Sequence, residues 1–165
     1  MTPRESIEGT TIAAALESAG FTHLIWIPDS HLGTWDTALA SSRLAPIRPC
    51  REGEAIGIAA GLMLGGARPL VAIQCTGFFE AGDAVRNVAF DLKMPLKLLV
   101  GVRGWRAQQA GKTADNCPQF AERIVRAWEL PCEWFDPFTA SLSDCAAVVR
   151  RLANAAVPSV LLWGE

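Results

Sequence analysis

No two cysteines of this 165-residue sequence stand at Cys-x-x-Cys spacing, and none has a pair of histidines nearby. The five of them, Cys50, Cys75, Cys117, Cys132 and Cys145, are dispersed and odd in number. Neither a zinc site nor a disulfide framework is expected from such a set, which suits a reducing cytosol. Also missing is any apolar run of about 18 residues, so no membrane span is expected. The first residues, MTPRESIEGTT, lack the apolar core of a signal peptide, and the expected location is cytoplasmic. Charge is scarce: 19% of residues are charged, with a formal net charge of -2 and a pI near 5.7. That balance argues against nucleic acid as the main partner. Half of the residues are hydrophobic, so little surface is left for water and a protein partner is expected. There is no internal repeat and no low-complexity tract. The length is that of one domain, enough to bury a substantial core.

What is present is alternation. Helices are expected near 5–18, 32–41, from 52 onward, 81–90, 119–128 and 142–155; short apolar strands are expected near 23–27, 46–50, 70–75, 96–100, 133–135 and 159–163. Continuous apolar strands separated by helices signal a parallel sheet covered on both faces. The expected architecture is a doubly wound α/β sandwich of about six parallel strands, with ligands beyond the carboxyl ends of the strands.

One stretch, residues 49–61, PCREGEAIGIAAG, sets the Glu52 carboxylate at the mouth of a helix with almost nothing polar behind it. Ile56, Ala59, Ala60, Met63 and Leu64 fall on one face at helical spacing, and a helix apolar nearly all round is expected to be buried. Its small residues, Gly57, Ala59, Ala60 and Gly61, would let another backbone or a flat ligand come close. At Glu52 two effects compete. The helix N-terminus favours a negative charge by about 0.3 to 1 kcal/mol, whereas desolvation in a dry site favours the neutral acid more strongly. A carboxyl tuned towards neutrality suits proton-sharing chemistry. The plainer roles are a helix cap or an ion pair with Arg48 or Arg51.

The run REGEAIGIAAG, followed by a strand ending in Gln74-Cys75-Thr76-Gly77, resembles the pyrimidine-binding (Pyr) module of thiamine-diphosphate enzymes. It is most similar to the alpha subunits of sulfopyruvate decarboxylase and to the matching half of phosphonopyruvate decarboxylase. The likeness runs over about 12–163 and implies a single Pyr domain across residues 1–165, flavodoxin-like in its sheet. It implies that Glu52 hydrogen-bonds N1′ of the cofactor's aminopyrimidine, favouring the imino tautomer whose freed nitrogen takes a proton from the thiazolium ring. It further implies a 2-oxo acid substrate, with the cofactor as electron sink, and places Gln74, Thr76 and Gly77 at the cofactor.

Three segments lie beyond expected strand ends. In Pro28-Asp29-Ser30-His31, the resemblance implies that Asp29 or Ser30 lies near the substrate; both residue types are also favoured N-caps for the helix that follows. His31 is a candidate to relay a proton or hold a carboxylate, or else an ordinary exposed loop histidine, while His23 reads as structural. In the segment after Gln74 the relatives carry Asn-Ser-Gly-Leu-Gly-Asn. This chain keeps Gly77 at the turn and a hydroxyl at Thr76, but Phe78 and Phe79 are bulkier, and either narrow the pocket or pack against a partner. Cys75 reads as a small core residue. The third segment, residues 101–117, has no apolar period and reads as a lid, an interface arm or disorder. Between residues 86 and 112 six basic residues, Arg86, Lys93, Lys97, Arg103, Arg106 and Lys112, stand against Asp91 alone. They attract an anion or an acidic partner, or form a solvated face.

The sequence contains no Gly-Asp-Gly, the start of the motif by which this family holds diphosphate and Mg²⁺, and no glycine-rich phosphate loop. Gly82-Asp83-Ala84 is the nearest approach. The resemblance therefore implies an alpha (Pyr) subunit that contributes no metal ligand. It would associate with itself and build its active site at an interface with a separate diphosphate-binding beta subunit, which mainly holds thiamine diphosphate and Mg²⁺. The expected function is that of a hetero-oligomeric 2-oxo acid decarboxylase active only with that partner. Three alternatives remain: a carboligase subunit making an acyloin or acetohydroxy acid, a non-catalytic scaffold with the same fold, and a free-standing flavodoxin-like binding module.

Overall fold

The computed structural model describes residues 7–165. Six strands, β1 (His23–Trp26), β2 (Ala45–Ile47), β3 (Pro69–Gln74), β4 (Lys97–Val102), β5 (Cys132–Phe135) and β6 (Ser159–Gly164), form one sheet in the order β2-β1-β3-β4-β6-β5. Every pairing is parallel, so each strand must be followed by a crossover, which the helices supply. These are α1 (Gly9–Ser18), a 3₁₀ turn (Leu32–Trp35) running into α2 (Asp36–Ala40), α3 (Glu52–Leu64), α4 (Cys75–Glu80), α5 (Gly82–Arg86) continuing as a π turn (Asn87–Asp91), α6 (Trp105–Gln109), α7 (Cys117–Ala127) and α8 (Leu142–Asn154). The start of the helix expected at 5–18 falls in part outside the described residues.

Side-chain alternation along the central strands builds two cores, one on each face. Val71 and Ile73 of β3 join Ile56, Phe78, Val85 and Val125 beneath α3, α4, α5 and α7. Leu70 and Ala72 join Leu16, Trp35, Val149 and Trp163 on the face of α1, α2 and α8. All residues of β4 and β6 are buried, which is why these strands carry no polar alternation. Among the described residues, no helix is long and apolar enough to cross a membrane.

Two expectations need correcting. Cys75, at the start of α4, and Cys117, at the start of α7, form a disulfide, although none was expected. They stand 42 residues apart, and what brings them together is the adjacency of β3 and β4 with both helices on one face, which local spacing does not reveal. Of the three readings of the 101–117 connection, disorder is the one that falls. Its α6 is pinned by Trp105, whose ring stacks on Trp134 at 5.2 Å, and by the Arg106 N–H, which donates to the Glu165 carbonyl (3.1 Å). Three of the basic residues around it are engaged locally. Arg86 pairs with Asp83 and Asp91, Arg103 stands 3.8 Å from Asp115, and the Arg106 guanidinium lies over the Phe138 ring.

Lys97 opens β4 at the amino end of the sheet and is 7% exposed. Its Nζ donates to the carbonyls of Ala155 (2.7 Å) and Val157 (2.6 Å), just beyond α8. Burial, with the Arg68 charge adding to it, pushes the ammonium down to about 8 from its ordinary 10.5, against the pull of those two carbonyls. Between these values the folded chain binds fewer protons here than the unfolded chain, so stability rises with pH across the window. Urea titrations of wild type and Lys97→Met are expected to diverge in the wild type's favour from pH 8 to 10.5, by up to about 3 kcal/mol. A difference that stays flat with pH would show that this amine is not strained by burial.

Candidate active site

The chain leaves β1 to form β2 on one side, then crosses back over β1 to form β3 on the other. Parallel sheets open a crevice outside the carboxyl ends of the strands at such a reversal. The segments after β1 and β3, which carry most of the sequence-derived candidates, both end there, and α3 enters between β2 and β3 with Glu52 as its first residue.

Glu52 is not spent on the plainer roles. It is Glu54 that ties the helix start to the chain before it, its Oε2 accepting the Cys50 N–H (2.9 Å), and no side chain caps the helix at Arg51. Arg48 pairs instead with Asp36 and lies over the Trp26 ring. The Glu52 carboxylate accepts no hydrogen bond from the described residues. Its side chain lies against Gly77 on α4, where an added Cβ would overlap Glu52 Oε1, Cγ and Cδ, so this approach requires glycine. Next to it the Thr76 hydroxyl donates to Gln74 Oε1 (2.9 Å). Glu52, Gln74, Thr76 and Gly77 thus form one group at the end of β3. Glu54→Ala is expected to cost about 1 kcal/mol in a urea melt, the worth of one such hydrogen bond; no loss at all would mean that Glu54 does not hold the helix start.

The expectation of a fully buried α3 is corrected. Ala55, Ile56, Ala59 and Ala60 face the sheet, but Leu64 is 80% exposed, Met63 is half-buried, and nothing lies within 4 Å of a Cβ added at Gly57 or Gly61. One layer of helix over one sheet covers a single side, so a helix apolar all round keeps an open face. Glu52 is accordingly half-buried rather than enclosed in a dry site. Phe78 does not reach a pocket. Phe78 is fully buried, with ring centroids 5.5 Å from Trp128 and 6.3 Å from Phe79.

The candidates after β1 form a second group. Asp29 caps the 3₁₀ turn, its Oδ1 accepting the N–H groups of His31 (2.9 Å) and Leu32 (2.8 Å), while its Oδ2 is buried without a partner. Ser30 and His31 are exposed. No hydrogen bond or ion pair joins this group to that of Glu52. Sequence reasoning missed a third participant, Glu165, which follows β6 and is 6% exposed, with neither carboxyl oxygen hydrogen-bonded. Burial, reinforced by the nearby Asp29 carboxylate and opposed by Arg103, pushes Glu165 up to about 8. The available signal was its position: an acid directly beyond the carboxyl end of a mostly apolar strand.

No protein-family model matches the sequence. Sulfopyruvate decarboxylase of Methanosarcina acetivorans is 35% identical over 66 residues, which is 40% of this chain and 17% of that protein. Benzoylformate decarboxylase from Polynucleobacter necessarius superposes with a TM-score of 0.72 at 17% identity, over 96% of this chain and 30% of that one. A 2-oxoglutarate:ferredoxin oxidoreductase from Magnetococcus marinus superposes with a TM-score of 0.59 at 12% identity, over 99% and 30%. The chain therefore spans less than a third of the length of each of these proteins. At such identities the structures speak for the fold, and the fold of this chain is that of the Pyr module of thiamine-diphosphate enzymes.

Proposed function

We propose that this chain is the Pyr subunit of a thiamine-diphosphate-dependent 2-oxo acid decarboxylase of the sulfopyruvate and phosphonopyruvate type, working with a separate diphosphate-binding subunit. The observation that carries the reading is Glu52, a carboxylate at a helix N-terminus, free of any cap or ion pair and laid over a glycine that has no Cβ to push it away. That arrangement fits the pyrimidine end of the cofactor, which needs one acid within reach of a ring nitrogen and a flat approach to it.

Thiamine diphosphate, when bound, supplies the electron sink for breaking the bond between the carboxylate and the carbonyl carbon of a 2-oxo acid. In this reading Glu52 holds and returns a proton at a ring nitrogen. Gln74, Thr76 and Gly77 orient the ring, and Asp29, Ser30 and His31 line the substrate side. The sequence has no Gly-Asp-Gly, so Mg²⁺ and the diphosphate fall to the partner. Exposed Leu64, Phe90 and Leu92 support an apolar surface for association, whether with that partner or with a second copy.

The test is to co-express the chain with diphosphate-module subunits and follow CO₂ release from a panel of 2-oxo acids. Release is expected to need both chains, thiamine diphosphate and Mg²⁺. An assembled pair that binds no thiamine diphosphate and evolves no CO₂ from any acid would overturn the proposal.

A further inference from the structure

On the face of the sheet opposite α3, a recess of about 50 Å³ is walled by Ile7, His31, Trp35, Phe138, Trp163 and Glu165. Two carboxyl oxygens of this wall, Glu165 Oε1 and Glu165 Oε2, are buried without a hydrogen-bond partner, and so is Asp29 Oδ2, two residues before His31 of the same wall. Burying acceptors without a donor is costly, and two neighbouring carboxylates in one dry place repel each other as well. One proton between them removes both penalties, because a neutral carboxylic acid has an O–H to donate.

The surroundings are shaped for this carboxyl. Gly101 of β4 lacks the Cβ that would overlap Glu165 Oε1. The Glu165 N–H donates to the Val102 carbonyl (3.2 Å), and its main-chain oxygen accepts the Arg106 N–H (3.1 Å), so the backbone of this residue is held by two hydrogen bonds. Asp29 is fixed too, its Oδ1 already taken by two backbone N–H groups. Only its Oδ2 is left to accept.

We infer that Glu165 is a positioning residue for Asp29: as the neutral acid it donates its O–H to Asp29 Oδ2, so the two share a single proton and hold the Asp29 carboxylate in one orientation at the carboxyl end of β1. The role in turnover rests on the decarboxylase reading; the acid pair itself does not. Burial and the Asp29 charge hold the Glu165 carboxyl up at about 8, in keeping with a proton retained at neutral pH. Charged and titratable groups surround the pair on each packed element. His31 follows Asp29. Arg103 and Arg106 follow β4, the first near Asp115 and the second over Phe138. Asp136 precedes the Pro137 wall and accepts from Phe138 N–H and the Thr139 hydroxyl. Glu8 stands at the start of α1. Arg103 favours ionised Glu165 and Asp29 opposes it. With the folded value above the ordinary 4.5, the stability contributed by Glu165 is complete below that value and is lost as pH rises through about 8.

The test is a ¹³C NMR titration of the full chain carrying labelled Glu carboxyl carbons, in wild type, Glu165→Gln and Asp29→Asn. One resonance, absent from Glu165→Gln, is expected to titrate near pH 8 and to move down by about one unit or more in Asp29→Asn, where the neighbouring charge is gone. Titration at the ordinary carboxylate value, or a value indifferent to Asp29→Asn, overturns the pair. Should Glu165→Gln fail to fold, wild type against Asp29→Asn decides the matter with Glu165 in place. In the assembled enzyme, the decline of kcat/KM above about pH 8 is expected to disappear in Glu165→Gln, and its persistence overturns the positioning role. If no CO₂ is formed by any assembly, the decarboxylase reading fails while the NMR titration still judges the pair.

Discussion

In the decarboxylase proposed above, Glu52→Gln is expected to lower CO₂ release by about 10² to 10⁴-fold, the usual contribution of a positioned acid–base group, while folding stability falls by no more than the roughly 0.3 to 1 kcal/mol that a helix N-terminus gives a carboxylate. Glutamine keeps the size and the polar tip of the side chain but neither takes nor returns a proton at this position. The loss stays that small because the Glu52 carboxylate accepts no hydrogen bond from the described residues, and the helix start is tied two residues further on by Glu54. The check pairs kcat at saturating thiamine diphosphate and substrate with the urea midpoint of the same preparation. A fall in kcat of less than about tenfold would remove Glu52 from the chemistry and favour a scaffold role. A loss of stability beyond about 1 kcal/mol would instead mean that the variant had disturbed the fold, so the two explanations of a lost activity separate in one experiment.

The largest stability effect is expected at Phe78. Phe78→Ala should cost about 3 to 5 kcal/mol, the range for emptying a buried aromatic site, and that is a large share of the roughly 5 to 15 kcal/mol a domain usually has. Phe78 is fully buried, tilted against Trp128 and edge-on to Phe79, and contacts of this kind add about 0.5 to 1.5 kcal/mol to area burial alone. It also follows Gly77 directly, so the same residue anchors the turn of α4 against which Glu52 lies. Chemical denaturation with matched slopes measures the loss. A cost below about 1 kcal/mol would mean that the site collapses around the missing ring.

The sheet was legible because its strands are short apolar runs flanked by helical patterns, and residues 70–74 or 96–100 admit few other readings. The start of α3 was legible for a different reason, an acid-rich turn set before a long apolar stretch. Periodicity failed where partners decide. Leu64 shares the phase of Ile56 and Ala60, yet it sits beyond the sheet's cover and points to solvent. The helix α4 was hidden because Thr76-Gly77 reads as a turn, although Cys75, Phe78 and Ala81 have helical spacing and all three are buried. Of the candidate site, Glu52 and Asp29 could be named from local motifs. The Cys75–Cys117 pairing and the approach of Glu165 to Asp29 could not, since both depend on which strands lie side by side.

The strand order also dictates a sequence of events in time. β5 has one neighbour in the sheet, β6, and β6 is inserted between β4 and β5. While the chain is being synthesised, residues 132–135 therefore have no strand to bond until residues 159–164 have emerged, whereas β1, β2 and β3 can already assemble. Long-range parallel pairings of this kind are slow to form, and an unpaired strand edge is open to association with other chains until it closes. The last strand acts as the keystone of the sheet, and Glu165 arrives at Asp29 only when that stone is set.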